Sequence, residues 1–367
     1  MNAPVRVSAV VLLCASTLSC SSARPPQTTP SRPPQPRAQA PEQRPAPAAT
    51  DAQTPRVRLV ATGGTISNRT GGRLTAGELV NLVPGLARYA TPEYEQFTNV
   101  ASSELTLEQW LNLAKRINEL YRTDPQLAGV VVTSGTDTLE ELAYFLNLTI
   151  RDPRPVAVVG SMRNPSTLGY EGGANLLEGF RVAADPASRG RGVMVVMNDE
   201  INAAREVTKT DALRLQTFQT RGYGVLGVVD LDRVVYYRRV ERRHTADSEF
   251  DVSSLMELPR VDVLLTYQGA SGDLIKSAIA AGAKGVVMAT AGAGATSGTQ
   301  GEGLQYAASK GIPVVITTRA GGGRIAGGGR DSIAGEDLAP LKARILLMLA
   351  LTKTSDVNEL RRIFSEY

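Results

Sequence analysis

The chain has 367 residues, 42% of them hydrophobic and 21% charged, which is ample for a sizeable core and for more than one globular domain. The formal net charge of +4 is unevenly placed. Residues 1–55 hold five arginines against two acids (Glu42 and Asp51), leaving 35 basic against 34 acidic residues in the remainder. So neutral a body argues against a nucleic-acid-binding surface, which needs clustered lysine and arginine to match phosphates.

The first residues read as an export signal. Arg6 supplies positive charge, and residues 7–18 form an apolar run too short to span a bilayer. Two processing readings stand side by side. Ser21-x-Ala23 offers the small residues of a signal-peptidase site, giving a leader of residues 1–23. Leu18-Ser19-Cys20 resembles a lipobox, which would leave Cys20 as an acylated anchor. Residues 24–55 are rich in Pro, Ala, Gln and Thr, and eleven of the 21 prolines fall within residues 1–55, so this stretch reads as a disordered tether. Cys14 and Cys20 are the only cysteines, so the body can form no disulfide and offers no thiol nucleophile.

From Arg56 short apolar runs alternate with amphipathic stretches. Strands are expected at 57–61, 129–133, 155–159 and 193–197. Helices are expected from the Thr106/Gln109 capping box to about 121, and over 138–149. A polar, charged stretch at 238–259 reads as a linker. The pattern then restarts, with strands at 261–265, 285–289 and 313–317, helices at 274–281 and 304–310, and a long closing helix at 340–351. Runs that are apolar on both faces between helices imply parallel sheets covered by helices. The expected architecture is α/β in two domains, a larger one over 56–237 with a mixed or parallel sheet and a smaller parallel one over 260–367.

Two segments stand where strands end and ligands bind in such sheets: Ala61-Thr62-Gly63-Gly64-Thr65-Ile66 and Thr133-Ser134-Gly135-Thr136-Asp137-Thr138. Glycines there allow sharp turns and close approach of a ligand, and helix-start N–H groups suit a carboxylate or an oxyanion. Each alone is a common turn or helix cap; the pair is far less expected by chance. A third element, Val207-Thr208-Lys209-Thr210, sets a lysine among β-branched residues, which suggests partial burial and a possible base. The single histidine, His244, falls in the presumed linker, in a structural or solvent-exposed role, which leaves little room for a Ser-His-Asp arrangement. No His or Cys cluster has metal-ligand spacing, so no metal or cofactor is expected. A hydroxyl nucleophile activated by lysine and carboxylate remains.

Together these segments resemble the bacterial type II L-asparaginases and the glutaminase-asparaginases among them. The likeness spans about 56–367. It includes Val195-Val196-Met197-Asn198-Asp199-Glu200 with Arg205-Glu206-Val207-Thr208-Lys209-Thr210, the linker residues Arg243-His244-Thr245 and Phe250-Asp251-Val252, and the last long helix from Lys342 to Leu351. The resemblance implies an amidohydrolase that deamidates asparagine; the alternative within enzymes is a glutaminase-dominant or D-asparagine-active hydrolase. It implies Thr65 as the acylated nucleophile and Thr136, Asp137 and Lys209 as the companion triad. Ser102 and Ser103, with Thr136, Asp137 and Ser161, would hold the substrate, Ser102 at its α-carboxylate and Asp137 at its α-ammonium. Backbone N–H groups near Thr136 and Ser161 would face the oxyanion. It also implies a homotetramer, and the export signal implies a periplasmic location.

Three departures from the family pattern stand out. The segment Ser67 to Leu74, where a long tyrosine-bearing lid is usual, is short and has no tyrosine. The acidic segment that usually meets that lid is replaced by a shortened glycine-rich stretch from Ala320 to Arg330. Ser134 and Ser103 replace a usual histidine and glutamine, and Gly269 an asparagine supplied across a subunit interface. The core chemistry is retained on this reading, while lid closure, rate and substrate preference are open. The rival outside enzymes is an exported amino-acid-binding protein without catalysis. A retained threonine-lysine pair argues against it, since binding alone needs none.

Overall fold

A computed structural model of the chain describes residues 54–327, 329 and 331–367. The expected leader, Cys20 and nearly all of the tether lie outside the described residues. From residue 54 onward the chain belongs to one compact unit.

Strand β1 (Arg56–Gly63) runs into the first glycine-threonine turn, followed by a short hairpin of β2 (Asn68–Arg69) and β3 (Gly72–Arg73), helix α1 (Ala76–Asn81) and strand β4 (Thr91–Val100). Next come α2 (Leu107–Thr123), β5 (Leu127–Thr133), α3 (Leu139–Thr149), β6 (Val156–Val159), α4 (Gly172–Ala184) and β7 (Val193–Met197). Short strands follow: β8 (Glu200–Ala203), β9 (Thr208–Lys209), β10 (Phe218–Gln219), β11 (Gly227–Val229) and β12 (Val234–Tyr236). The last part holds β13 (Val261–Leu265), α5 (Asp273–Ala280), β14 (Gly285–Thr290), α6 (Gln300–Ser309), β15 (Val314–Thr318), β16 (Ile333–Ala334), α7 (Pro340–Ala350) and α8 (Val357–Glu366).

The larger sheet has eight strands in the order β12-β11-β8-β7-β6-β5-β1-β4. From β4 to β7 neighbours run parallel; β7, β8, β11 and β12 pair antiparallel. The smaller sheet, β13-β14-β15-β16, is wholly parallel. The fold is thus the expected α/β pair of sheets, larger and mixed first, smaller and parallel second. Helix α2 starts at the Thr106/Gln109 capping box, in which Gln109 N donates to the Thr106 hydroxyl (3.2 Å) and the Gln109 side chain accepts from Thr106 N (2.9 Å).

One core joins the two sheets. Helix α3 is buried from Leu142 to Thr149 because it lies between the larger sheet and α7, and α7 in turn covers β13, β14 and β15. The charged stretch after residue 238 is more than a loose connector. Phe250 and Val252 are buried in the shared core, and the Phe250 ring packs against Tyr367 with centroids 5.1 Å apart. On the opposite face of the larger sheet α4 covers β5, β6 and β7. It sits close because residue 179 is glycine: a Cβ there would stand 2.6 Å from the Val159 side chain.

Helix α4 also carries a titratable group. Burial, with the neighbouring Asp199 carboxyl, pushes Glu178 up to about 8, and Glu178 accepts a hydrogen bond from Asp199 N (3.1 Å). A carboxyl whose folded pKa exceeds its unfolded one stabilises the fold fully below about pH 4.5, and this contribution is lost as pH rises through about 8. Glutamine imitates the protonated form at every pH. Glu178→Gln should therefore melt like the parent at pH 5 and at a higher temperature than the parent at pH 9. Thermal unfolding at the two pH values checks this, and parallel curves at both would refute the linkage.

Candidate functional site

The two glycine-threonine turns lie at the carboxyl ends of adjacent parallel strands, β1 and β5, so pairing in the sheet brings them together. The Thr62 hydroxyl donates to Thr133 O (2.7 Å) and Thr62 N to the Thr133 hydroxyl (3.3 Å). Two residues further on the backbones touch. Gly64 has φ +87°, and a Cβ there would stand 2.2 Å from Gly135 N, a position no other residue can occupy without parting the turns. Thr65 and Thr136 each directly follow one of these touching glycines. Thr65 is half-buried at the start of a 3-10 turn, and Thr136 is buried.

The first turn is tied down from several sides. Gly64 N donates to Val100 O (2.8 Å), and the Ser67 hydroxyl to Gly64 O (3.1 Å). The Tyr170 hydroxyl donates to Ile66 O (2.8 Å), and Thr70 N donates to the Ser166 hydroxyl (2.9 Å). The short β2–β3 hairpin therefore rests against the loop that follows β6. The sequence offered no pattern pointing to Tyr170, which sits in an irregular loop 104 residues away.

Lys209 reaches the second turn from the β9–β10 hairpin. Its Nζ donates to Thr136 Oγ1 (3.0 Å) and to Asp137 Oδ1 (2.9 Å). The Lys209 side chain is 16% exposed, that of Asp137 71%. An ion pair with one partner so open is worth about 0–1 kcal/mol to the fold, so it places the amine more than it holds the protein together. Ser102 is buried beside the same turn: its hydroxyl accepts from Thr138 N (3.3 Å), its carbonyl from the Thr138 hydroxyl (3.1 Å), and a Cβ on Gly135 would stand 2.8 Å from its Oγ. Ser103 is exposed next to it. Ser161 is buried behind Thr136, in the loop after β6, where a Cβ on Gly160 would lie 3.3 Å from the Thr136 methyl. The Ser161 hydroxyl donates to Arg163 O (2.6 Å).

The structure thus gathers Thr65, Thr136, Asp137, Lys209, Ser102 and Ser161 at one end of the larger sheet. Behind them Asn175, also not singled out by its sequence pattern, donates to Gly160 O (2.9 Å) and accepts from Asn198 N (2.9 Å), while Asn198 donates to Leu215 O (2.6 Å). These bonds join the loop bearing Ser161 to the stretch after Lys209. Asn198 has φ 54°, the left-handed region that asparagine tolerates better than most residues.

His244 belongs to the opposite end. It is buried beside Gly192, just before the amino end of β7, so the solvent-exposed alternative does not hold. Its Nδ1 lies 2.9 Å from the Thr245 hydroxyl, and burial lowers its pKa. Among the described residues no group of three or more His, Cys, Asp or Glu is arranged to hold a metal ion, and no helix is long and apolar enough to cross a membrane.

Residues 56–242 match the family model "Asparaginase, N-terminal", and residues 260–364 match "Glutaminase/Asparaginase C-terminal domain". The chain belongs to the asparaginase family. Its relatives in the family include L-asparaginase 2 of Bacillus subtilis, 40% identical over 87% of this chain and 88% of the relative, and L-asparaginase 2 of Escherichia coli, 40% identical over 85% and 93%. A glutaminase-asparaginase of Pseudomonas fluorescens is 36% identical over 87% of this chain and 92% of its own. A probable periplasmic L-asparaginase of Haemophilus influenzae is 36% identical over 87% and 95%. A crystal structure of a probable cytoplasmic L-asparaginase from Campylobacter jejuni superimposes with a TM-score of 0.82, at 39% identity, over 85% of this chain and 99% of that one.

Proposed function

We propose that this family member hydrolyses L-asparagine to L-aspartate and ammonia through an ester on Thr65, and that glutamine is a second, analogous substrate. The observation that carries the reading is the reach of the Lys209 amine to Thr136 Oγ1 at 3.0 Å, on a turn whose Gly135 meets Gly64, the residue before Thr65. A threonine hydroxyl is a weak nucleophile, so its proton must leave as it attacks. In its unprotonated form the Lys209 amine, held beside Asp137, takes that proton through Thr136 as the Thr65 oxygen bonds to the side-chain amide carbon. Backbone N–H groups near Thr136 and Ser161 stabilise the oxygen that becomes negative. The tetrahedral adduct collapses with transfer of the proton to the leaving nitrogen, and ammonia departs. Water then cleaves the ester and frees Thr65. Ser102 and Ser103 receive the substrate α-carboxylate and Asp137 the α-ammonium. The names of the Bacillus, Escherichia and Pseudomonas relatives support both substrates.

Three further readings belong to the same proposal. The exposure of Asp137 and the half-exposure of Thr65 leave the shelf open in a single chain, whereas an acyl intermediate profits from exclusion of water; a homotetramer in which neighbouring subunits cover the shelf supplies the closure. The leader directs the protein out of the cytoplasm to the periplasm, in line with the name of the Haemophilus relative. Acylation of Cys20 makes it a membrane-anchored lipoprotein.

The test pairs two measurements on the full chain. Steady-state ammonia release is followed with L-asparagine and L-glutamine side by side, and an acid quench during turnover is analysed by peptide mass spectrometry. The expected results are ammonia from asparagine and an aspartyl adduct on the peptide containing Thr65. Absence of ammonia from both amides would return the protein to the binding-protein reading, and an adduct elsewhere would remove Thr65 from its role.

A further inference from the structure

The segment that presents Lys209 is gripped from behind by side chains from distant parts of the chain. Glu140, on the first turn of α3 and 8% exposed, accepts at one oxygen from Lys209 N (3.1 Å) and from the Thr208 hydroxyl (3.1 Å). Lys342, on the first turn of α7 and 1% exposed, donates to Ala204 O (2.8 Å) and to Val207 O. Between these holds, Arg205 forms a two-pronged ion pair with Asp337 (2.6 and 2.9 Å), and its Nε donates to Tyr367 O.

Lys342 is an expensive way to hold two carbonyls. Burying an amine removes its hydration, and desolvation pushes it down to about 8. Its Nζ lies 6.0 Å from the centre of the Tyr144 ring, which offers a further weak attraction. No apolar side chain could bond these two carbonyls, so the position of the segment is the quantity these bonds secure. Space bears this out. A cavity of about 590 Å³ opens beside the segment and is lined by Glu140, Arg205, Val207, Thr208 and Lys342, so packing alone does not fix residues 204–209 on that side.

We propose that Glu140 and Lys342 are positioning residues for the deamidation: they fix the backbone of residues 204–209 so that the Lys209 amine stands at the Thr136 hydroxyl. This rests on the proposed part of Lys209 in the proton relay. Through Lys342 the smaller domain acts on the chemistry of its own chain, although its residues lie behind the catalytic shelf. A backbone shift at Lys209 carries its amine with it, and a misplacement of about 1 Å is worth about 100-fold in rate.

The test uses the full chain and asparagine. Glu140→Ala is expected to lower kcat by about 100-fold with KM nearly unchanged, because Ser102 and Asp137 stand on other elements. Glu140→Gln keeps an oxygen that accepts both bonds and should restore most of the lost kcat. Lys342→Met, which keeps the apolar stem, should also lower kcat while leaving KM near the parental value. Thr208→Val removes one of the two bonds to Glu140 without stranding a buried charge, and takes the place of Glu140→Ala where thermal unfolding shows that variant misfolded; a several-fold loss of kcat is expected. Parental kcat in folded Glu140→Ala or Thr208→Val, a loss confined to KM, or a glutamine variant no better than alanine would overturn the proposal. Lys209→Met serves as the control. If it retains turnover, the relay itself falls; if it is silent while the Glu140 and Thr208 variants work normally, the relay stands and the positioning role falls.

Discussion

Thr65→Ala should release no measurable ammonia from asparagine while unfolding at the parental temperature. The bonds that hold the first turn run through Gly64, Ile66 and Ser67 rather than through the Thr65 side chain. Removing the hydroxyl therefore deletes the proposed nucleophile and leaves the turn's fastenings in place. Loss of a nucleophile that works as a unit with its base costs on the order of a millionfold in kcat. Thr65→Ser keeps a hydroxyl at the same place and should retain a measurable part of the activity, carried by an adduct of the same mass increment on the serine. An alanine variant with more than traces of turnover, on protein purified free of host asparaginase, would refute the nucleophile assignment.

What could be read from the residues follows how local each cause is. The Thr106/Gln109 cap and the apolar run of β5 are set by neighbours in sequence, and the structure has them where the pattern put them. The meeting of the turns was legible too, because parallel strands that end in glycine-threonine turns must present them at one edge. Strand β4 was not. Its residues, Thr91 to Val100, are half-exposed and carry no apolar alternation, and it exists because its backbone completes the sheet beside β1. Helix α8 hides an amphipathic stripe of Leu360, Ile363 and Phe364 in too short a span to separate from a loop by pattern alone.

The supports of the site escaped for the same reason. Glu140 looks like an ordinary acidic residue at a helix start, Lys342 like a solvated lysine, and Tyr170 like a loop aromatic. Their roles come from packing partners 68, 135 and 104 residues away. The packing of the linker was equally hidden from its pattern: Arg243 and Glu249 form ion pairs with each other and with residues of α8, while Phe250 and His244 sit inside.

Lys209→Met separates a relay from a scaffold. Methionine reproduces most of the lysine stem but has no amine, so the contacts to Thr136 Oγ1 and Asp137 Oδ1 vanish while the buried methylenes remain. Because Asp137 is largely exposed, losing its partner should change folding stability by about 1 kcal/mol or less. Loss of a general base costs about 100- to 10,000-fold, so kcat should fall by about 1000-fold with an unchanged unfolding temperature. Lys209→Arg supplies the sharper contrast. A guanidinium preserves the charge and can still bond both neighbours, yet it does not give up its proton at ordinary pH and so cannot accept one from Thr136. If Lys209 carries a proton, arginine should be nearly as slow as methionine; if the position needs only a cation beside Asp137, arginine should recover most of the rate. Stopped-time ammonia assays on the two variants, at saturating asparagine, distinguish these outcomes.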